Sequence, residues 1–267
     1  MKTTFEIDLG FQLVLCSAGV ARSLVGVTGG ATRAAITQHQ ARQNNISDVA
    51  AKDGSQETLV GLLALLLNLV LLPLLAEDPT LTWSIFLLMT ALHLFANFRG
   101  VKSLMFSTLN KERFLLNFEL FARNGHVLSV TEANTRESVI LGTSSAPERS
   151  VLRGKKVRVG VSLREVLGCE PDLEKVLEKL ERDHYHVTAR GDELLVLLHE
   201  NATREHVFQG YFDACYMAVN EVADHDLLTK KAFVHFRVEM EKQGWNTGYL
   251  QMTNEGWTGS VGSKKGD

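Results

Sequence analysis

The sequence predicts a mixed fold: an α-helical, membrane-associated core with a transmembrane helical hairpin, followed by a small α+β domain. Three observations carry this. Two uncharged apolar runs, Leu59 to Ala76 and Thr80 to Phe98, lie almost back to back. A dense polar block, Thr28 to Thr58, abuts the first of them. From Lys156 onward the texture changes to short alternating and amphipathic segments.

In the first run only Gly61, Asn68 and Pro73 interrupt the aliphatic residues. As a helix it measures about 27 Å, against about 30 Å for a bilayer core. The second run has Trp83 near its start and Arg99 and Lys102 just beyond its end, the flanks that a spanning helix favours. Only Glu77, Asp78 and Pro79 join the two, so they are antiparallel neighbours. Cations gather at the open end: Arg33, Arg42 and Lys52 before it, Arg99, Lys102, Lys111 and Arg113 after. The positive-inside rule then places both flanks on the cytosolic, stromal or matrix side, with the acidic tip opposite. A pair of buried helices in a soluble bundle is the alternative, but uncharged runs of this length favour the membrane.

Leu9 to Ala21 reads as a third hydrophobic helix packed on the hairpin, with a break or close-packing site at Gly26, Gly29 and Gly30. Glu6 and Asp8 precede it, which does not suit a signal peptide. The glycine spacing fits neither GxGxxG nor GxxxxGK[ST].

Within the polar block, Thr32, Ala35, His39, Arg42 and Ile46 fall on one helical stripe, making His39 and Arg42 neighbours. Asp48 and Lys52, and Asp53 and Glu57, stand four apart. Asp53 precedes Gln56 by three and is expected to cap the helix that enters the apolar run. Asn68 and His93 are the polar residues inside the hairpin. Arg33, His39, Arg42, Asp48, Lys52, Asp53, Glu57, Asn68 and His93 are therefore the candidates for a ligand site or for a polar network that orients helices. His39 with the neighbouring acids has the residue types for acid–base work or metal ligation, but neither a nucleophile nor a metal spacing accompanies it. No catalytic residue, metal ligand or cofactor is assigned.

The segment GGATRAAITQHQARQNNISDVAAKDGSQETLV, then LLPL, then TALHLFANFRGVKSLMFSTLN, resembles the core of the root UVB-sensitive (RUS) family in order and spacing. Gly125-His126-Val127-Leu128 and Gly244-Trp245 continue the likeness more loosely. The resemblance implies membrane association, complexes between family members and, in plant relatives, plastid location with roles in early seedling development and UV-B sensitivity. It also implies an amino-terminally shortened member. It brings no catalytic residues.

A net charge of −3 excludes a general nucleic-acid binder. Cys16, Cys169 and Cys215 show no CxxC spacing and read as small buried hydrophobes. Lys111 to Phe121 is amphipathic and stops at Asn124-Gly125. Thr131 to Gly154 is polar and reads as a linker. Lys156 to Leu163 alternates as a strand, and Asp172 caps a helix with Leu173, Val176, Leu177 and Leu180 inward. Tyr185 to Ala189 and Glu193 to His199 are two strands around an Arg190-Gly191-Asp192 turn. Helices over Thr203 to Ala223 and Thr229 to Gln243, then an edge strand over Trp245 to Met252, complete this domain. Asn45 and Asn201 fit glycosylation sequons but lie on the side expected to escape modification.

The organisation expected is a helical segment with the polar block over 1–58, the hairpin and amphipathic helix over 59–122, a linker over 123–154, the α+β domain over 155–253 and a disordered tail over 254–267. The function expected is a membrane scaffold whose partners are other RUS-family members or itself, and the lipid bilayer. A carrier for a small-molecule ligand, using the polar block, is the alternative. Nucleic acid is not an expected partner.

Overall fold

A computed structural model describes residues 2–41, 45–76, 78–139, 148–220, 227–252 and 254–259. The chain divides into two compact units, Met1–Thr90 and Ala91–Asp267.

The first unit is helical. Helices α1 (Lys2–Gln40), α2 (Ile46–Leu75) and α3 (Pro79–Ser103) contain 39, 30 and 25 residues, about 58, 45 and 37 Å at the α-helical rise. All three are long and apolar enough to cross a membrane, and nothing in their apolar windows is buried. One of the two readings of the glycines, the break, and the expected Asp53 cap are corrected here. The chain does not break at Gly26, Gly29 and Gly30, because α1 runs straight through them. Each glycine costs about 1 kcal/mol in a helix, but propagation along so long a helix outweighs that cost. The hydroxyls of Ser17, Ser23, Thr28, Thr32 and Thr37 donate to carbonyls four residues earlier and stay within the helix. Nor does Asp53 cap the second helix. That helix starts at Ile46, with Asn45 in the capping position, since the strong helix formers Ala50, Ala51 and Lys52 already carry it before Asp53. The stripe drawn from Thr32 to Ile46 is thereby cut, because α1 ends at Gln40.

Asp78 does what was expected of Asp53. Its Oδ1 accepts from the backbone N–H groups of Thr80 at 2.8 Å and Leu81 at 3.1 Å. Pro79 takes the first helical position of α3, where no N–H is needed.

The second unit starts within α3. Lys102, in the last turn of α3, donates to the carbonyls of Thr135 and Glu137. Strand β1 (Thr108–Asn110) leads into α4 (Lys111–Asn124), capped by the Asn110 side chain and closed by Gly125 at φ 77°. Helices α5 (Val130–Arg136) and α6 (Glu148–Val151) follow. They occupy part of the expected linker, and Leu128, Ala133 and Leu152 there are buried, so the described part of that stretch belongs to the core; residues 140–147 lie outside the described residues. Next come β2 (Lys156–Val159), α7 (Leu163–Leu167), α8 (Leu173–Asp183), β3 (Tyr185–Arg190), β4 (Glu193–His199), α9 (Arg204–Asn220), α10 (Leu227–Lys242), β5 (Asn246–Gln251) and β6 (Thr258–Gly259).

Strand β4 is central. It pairs antiparallel with β3 across the expected turn and parallel with β2, while β6 adds parallel at its far end. β1 and β5 form a separate parallel pair. Leu194, Val196 and Leu198 face a core rich in Phe114, Phe118, Phe208, Phe212 and Phe236, and Leu195 and Leu197 face Val161, Val166, Val176 and Leu180. Burial on both faces explains why this strand lacks alternation. The tail expected from 254 is ordered as far as Gly259: Glu255 pairs with Arg158, and the Trp257 N–H donates to the Gly160 carbonyl. Gly160 is buried, and a buried carbonyl is costly to leave unpaired. Residues 260–267 lie outside the described residues.

Helix α9 approaches the sheet at Gly210, where an added Cβ would lie 2.9 Å from Val196 Cγ1 and 3.1 Å from the Tyr185 ring. Gly210→Ala should therefore destabilise this unit by about 1–3 kcal/mol through overpacking, read as a lower Tm in calorimetry. An unchanged or raised Tm would contradict the close approach.

Three imidazoles meet where α8, β4 and α9 end or begin. The His184 ring lies 4.6 Å from His206 and 5.5 Å from His199 between centroids. Burial first, and then the nearby His184, lower the His206 pKa from its usual 6.5. The unfolded chain then binds more protons just below that value, so stability should fall as pH drops through 6.5 toward the folded pKa. His206→Gln should flatten that limb in urea titrations run at a series of pH values. A slope equal to wild type would show that His206 does not carry it.

Candidate groove between α1 and α2

The polar end of α1 and the polar start of α2 run antiparallel and enclose an open groove of about 760 Å³. Its apolar walls are Val25, Ile36, Val49 and Val60, and its polar lining includes Thr28, Thr32, Thr37, Gln40 and Gln56. Arg33 bridges the helices from α1. Its Nε donates to Asp53 Oδ2 at 2.6 Å, and its Nη1 lies 2.7 Å from Glu57 Oε2. Asp53 and Glu57, one turn apart on α2, present both carboxylates to one guanidinium. The three side chains are 48%, 47% and 66% exposed, which limits each pair to the modest energy of a surface ion pair. Their contribution is register.

Of the residues singled out by sequence, the groove brings together Arg33, Asp53 and Glu57. Arg42 lies outside the described residues. His39 is in the last turn of α1, and Asp48 in the first turn of α2, and neither lines the groove. Lys52 is exposed and also off the lining. Asn68 is exposed on α2, while His93 contacts Asn97 one turn along α3 at 3.2 Å. Val25, Thr28, Ile36 and Gln40, missed by sequence, join Thr32 of the expected stripe at three- and four-residue spacing and trace one helical face. Once α1 is known to continue through its glycines, that periodicity is visible. Among the described residues no three His, Cys, Asp or Glu side chains converge as a metal-binding group.

Two family models cover most of the chain: a vitamin B6 photo-protection and homoeostasis domain over residues 4–125 and a root UVB sensitive protein carboxy-terminal domain over residues 126–229. The chain belongs to the root UVB sensitive family. It is 29% identical to protein root UVB sensitive 3 of Arabidopsis thaliana over 263 residues, covering 92% of this chain and 59% of that protein. It is 35% identical to RUS family member 1 of Dictyostelium discoideum over 169 residues, covering 62% of this chain and 30% of that protein. A further likeness, 22% over 265 residues, is to the chloroplastic protein root UVB sensitive 2 of Arabidopsis thaliana, covering 91% of this chain and 60% of that one. The chain thus spans 59% and 30% of the lengths of the first two relatives. No solved structure matches it. The first model covers the groove and all three apolar helices, and the second begins directly after Gly125 closes α4.

Charge reversal tests the bridge. Arg33→Glu should widen the α1–α2 separation measured between spin labels at Ala34 and Ser55, and adding Asp53→Arg and Glu57→Arg should restore it. Equal distances in all variants would remove the bridge as the source of register.

Proposed function

We propose that this chain is a membrane-integral scaffold of the root UVB sensitive family, assembling through its apolar helices with other family members or a second copy in the service of vitamin B6 homoeostasis. The observation that carries this reading is the uncovered surface of α1 to α3. Gly19, Ser23, Gly26 and Gly30 line one face of α1, and a Cβ placed on any of the three glycines would meet nothing within 4 Å. Small residues on one helix face allow close backbone approach by another helix. Asn68 adds an exposed amide within the apolar run of α2, and such a group in hydrocarbon favours an interhelical partner. The basic residues Arg99 and Lys102 at the end of α3 support a cytosolic, stromal or matrix location for the α/β unit. The chloroplastic relative supports a plastid membrane where the source is a plant.

The groove favours a second reading, a carrier for a small molecule. Its volume falls within the roughly 300–1,000 Å³ of ligand pockets, and it combines apolar walls with a few converging polar groups.

Alkaline carbonate extraction and co-purification of two differently tagged copies, or of a tagged relative, test the scaffold. The chain should remain in the membrane pellet, and Gly26→Leu with Gly30→Leu should cut co-purification at least tenfold without releasing it from the pellet. Recovery in the supernatant, or association indifferent to both substitutions, would sink the proposal.

A further inference from the structure

We propose that the α1–α2 groove binds organic monocations, meaning a protonated amine carried on an apolar or aromatic body. This names the ligand class for the carrier reading and rests on that reading for the site alone. The charge of the lining comes first. Arg33 contributes one positive charge and Asp53 and Glu57 two negative ones, leaving the groove formally at −1. Each carboxylate meets Arg33 through one oxygen, Asp53 Oδ2 and Glu57 Oε2, so that Oδ1 and Oε1 remain as acceptors.

Hydrogen-bond polarity points the same way. The hydroxyl hydrogens of Thr28, Thr32 and Thr37 are engaged by carbonyls of their own helix, which leaves these oxygens as acceptors toward the groove. A ligand rich in donors suits such a lining. Among the described lining residues, a phosphate or carboxylate would find the one charged donor already shared by two acids, and would be repelled by both. The remaining wall chemistry is apolar, from Val25, Ile36, Val49 and Val60, and takes the body of the ligand.

A soluble arylalkylamine and a single-chain lipid amine share this chemistry, and the test separates them. The full chain in neutral-lipid nanodiscs is titrated calorimetrically with phenethylamine, with dodecylamine and with the carboxylate 3-phenylpropanoate. At least one amine should bind at least tenfold more tightly than the carboxylate, and the tighter amine identifies the aqueous or bilayer source. Glu57→Gln neutralises the lining while Asp53 keeps its bond to Arg33, and should weaken amine binding at least fivefold. Asp53→Asn with Glu57→Gln makes the lining +1 and should reverse the order of amine and carboxylate. Absence of binding by every probe, equal affinity for amine and carboxylate, or amine affinity indifferent to Glu57→Gln would overturn the proposal. Amine binding without uptake into proteoliposomes would refute carriage and leave the site standing.

Discussion

The bridge from Arg33 to Asp53 and Glu57 is the interaction on which the amino-terminal unit depends. Among the described residues, helices α1 and α2 share no buried side chain that could fix their relative register. Hydrophobic contact alone permits sliding between smooth aliphatic faces, whereas a guanidinium held by two acids one turn apart defines both height and rotation. The groove is a consequence. Two helices held where the polar end of α1 meets the polar start of α2, with valines above and below, leave a trough between them rather than a zipped seam.

The α/β unit is organised by the opposite physics. Its helices α4, α9 and α10 interdigitate phenylalanines, with the Phe114 ring 4.9 Å from Tyr211 and 5.6 Å from Phe236. Edge-to-face contacts of this kind add specificity to the area buried. Three side chains show how buried polar groups are satisfied within that packing. Asn117 accepts from the Leu128 N–H and donates to the Arg113 carbonyl, and Trp245 Nε1 donates to the Leu128 carbonyl. Arg113, 5% exposed, lies over the Phe106 ring and bonds to Glu137. The Asn117–Leu128 and Arg113–Glu137 bonds tie α4 to the residues that follow it, and that is why a stretch with linker composition is folded into the core.

Much of the architecture was legible because its signals are local. The apolar runs, the Asp172 cap, the Gly125 stop and the Arg190-Gly191-Asp192 turn are decided within a few residues. The less legible features depend on partners distant in sequence. Glycines at 26, 29 and 30 look like a break until the length of α1 outweighs them. Glu255 and Trp257 look like tail until Arg158 and the carbonyl of Gly160 offer them partners. At the groove, residue types alone selected Arg33, Asp53 and Glu57 among nine candidates, but placing them on one face required the true ends of α1 and α2. His39 missed the lining because the expected stripe followed the neighbouring face of the same helix.

Lys102 has a mechanical consequence. Its ammonium grips two carbonyls where α5 ends, and the side chain of Asn134 in α5 bonds both the N–H and the carbonyl of Phe106. The end of α3 and the polypeptide just beyond it are thus fastened to the α/β unit at several points rather than joined by a swivel. A rotation or tilt of the carboxy-terminal half of α3 turns that unit with it, as a crank turns with its shaft.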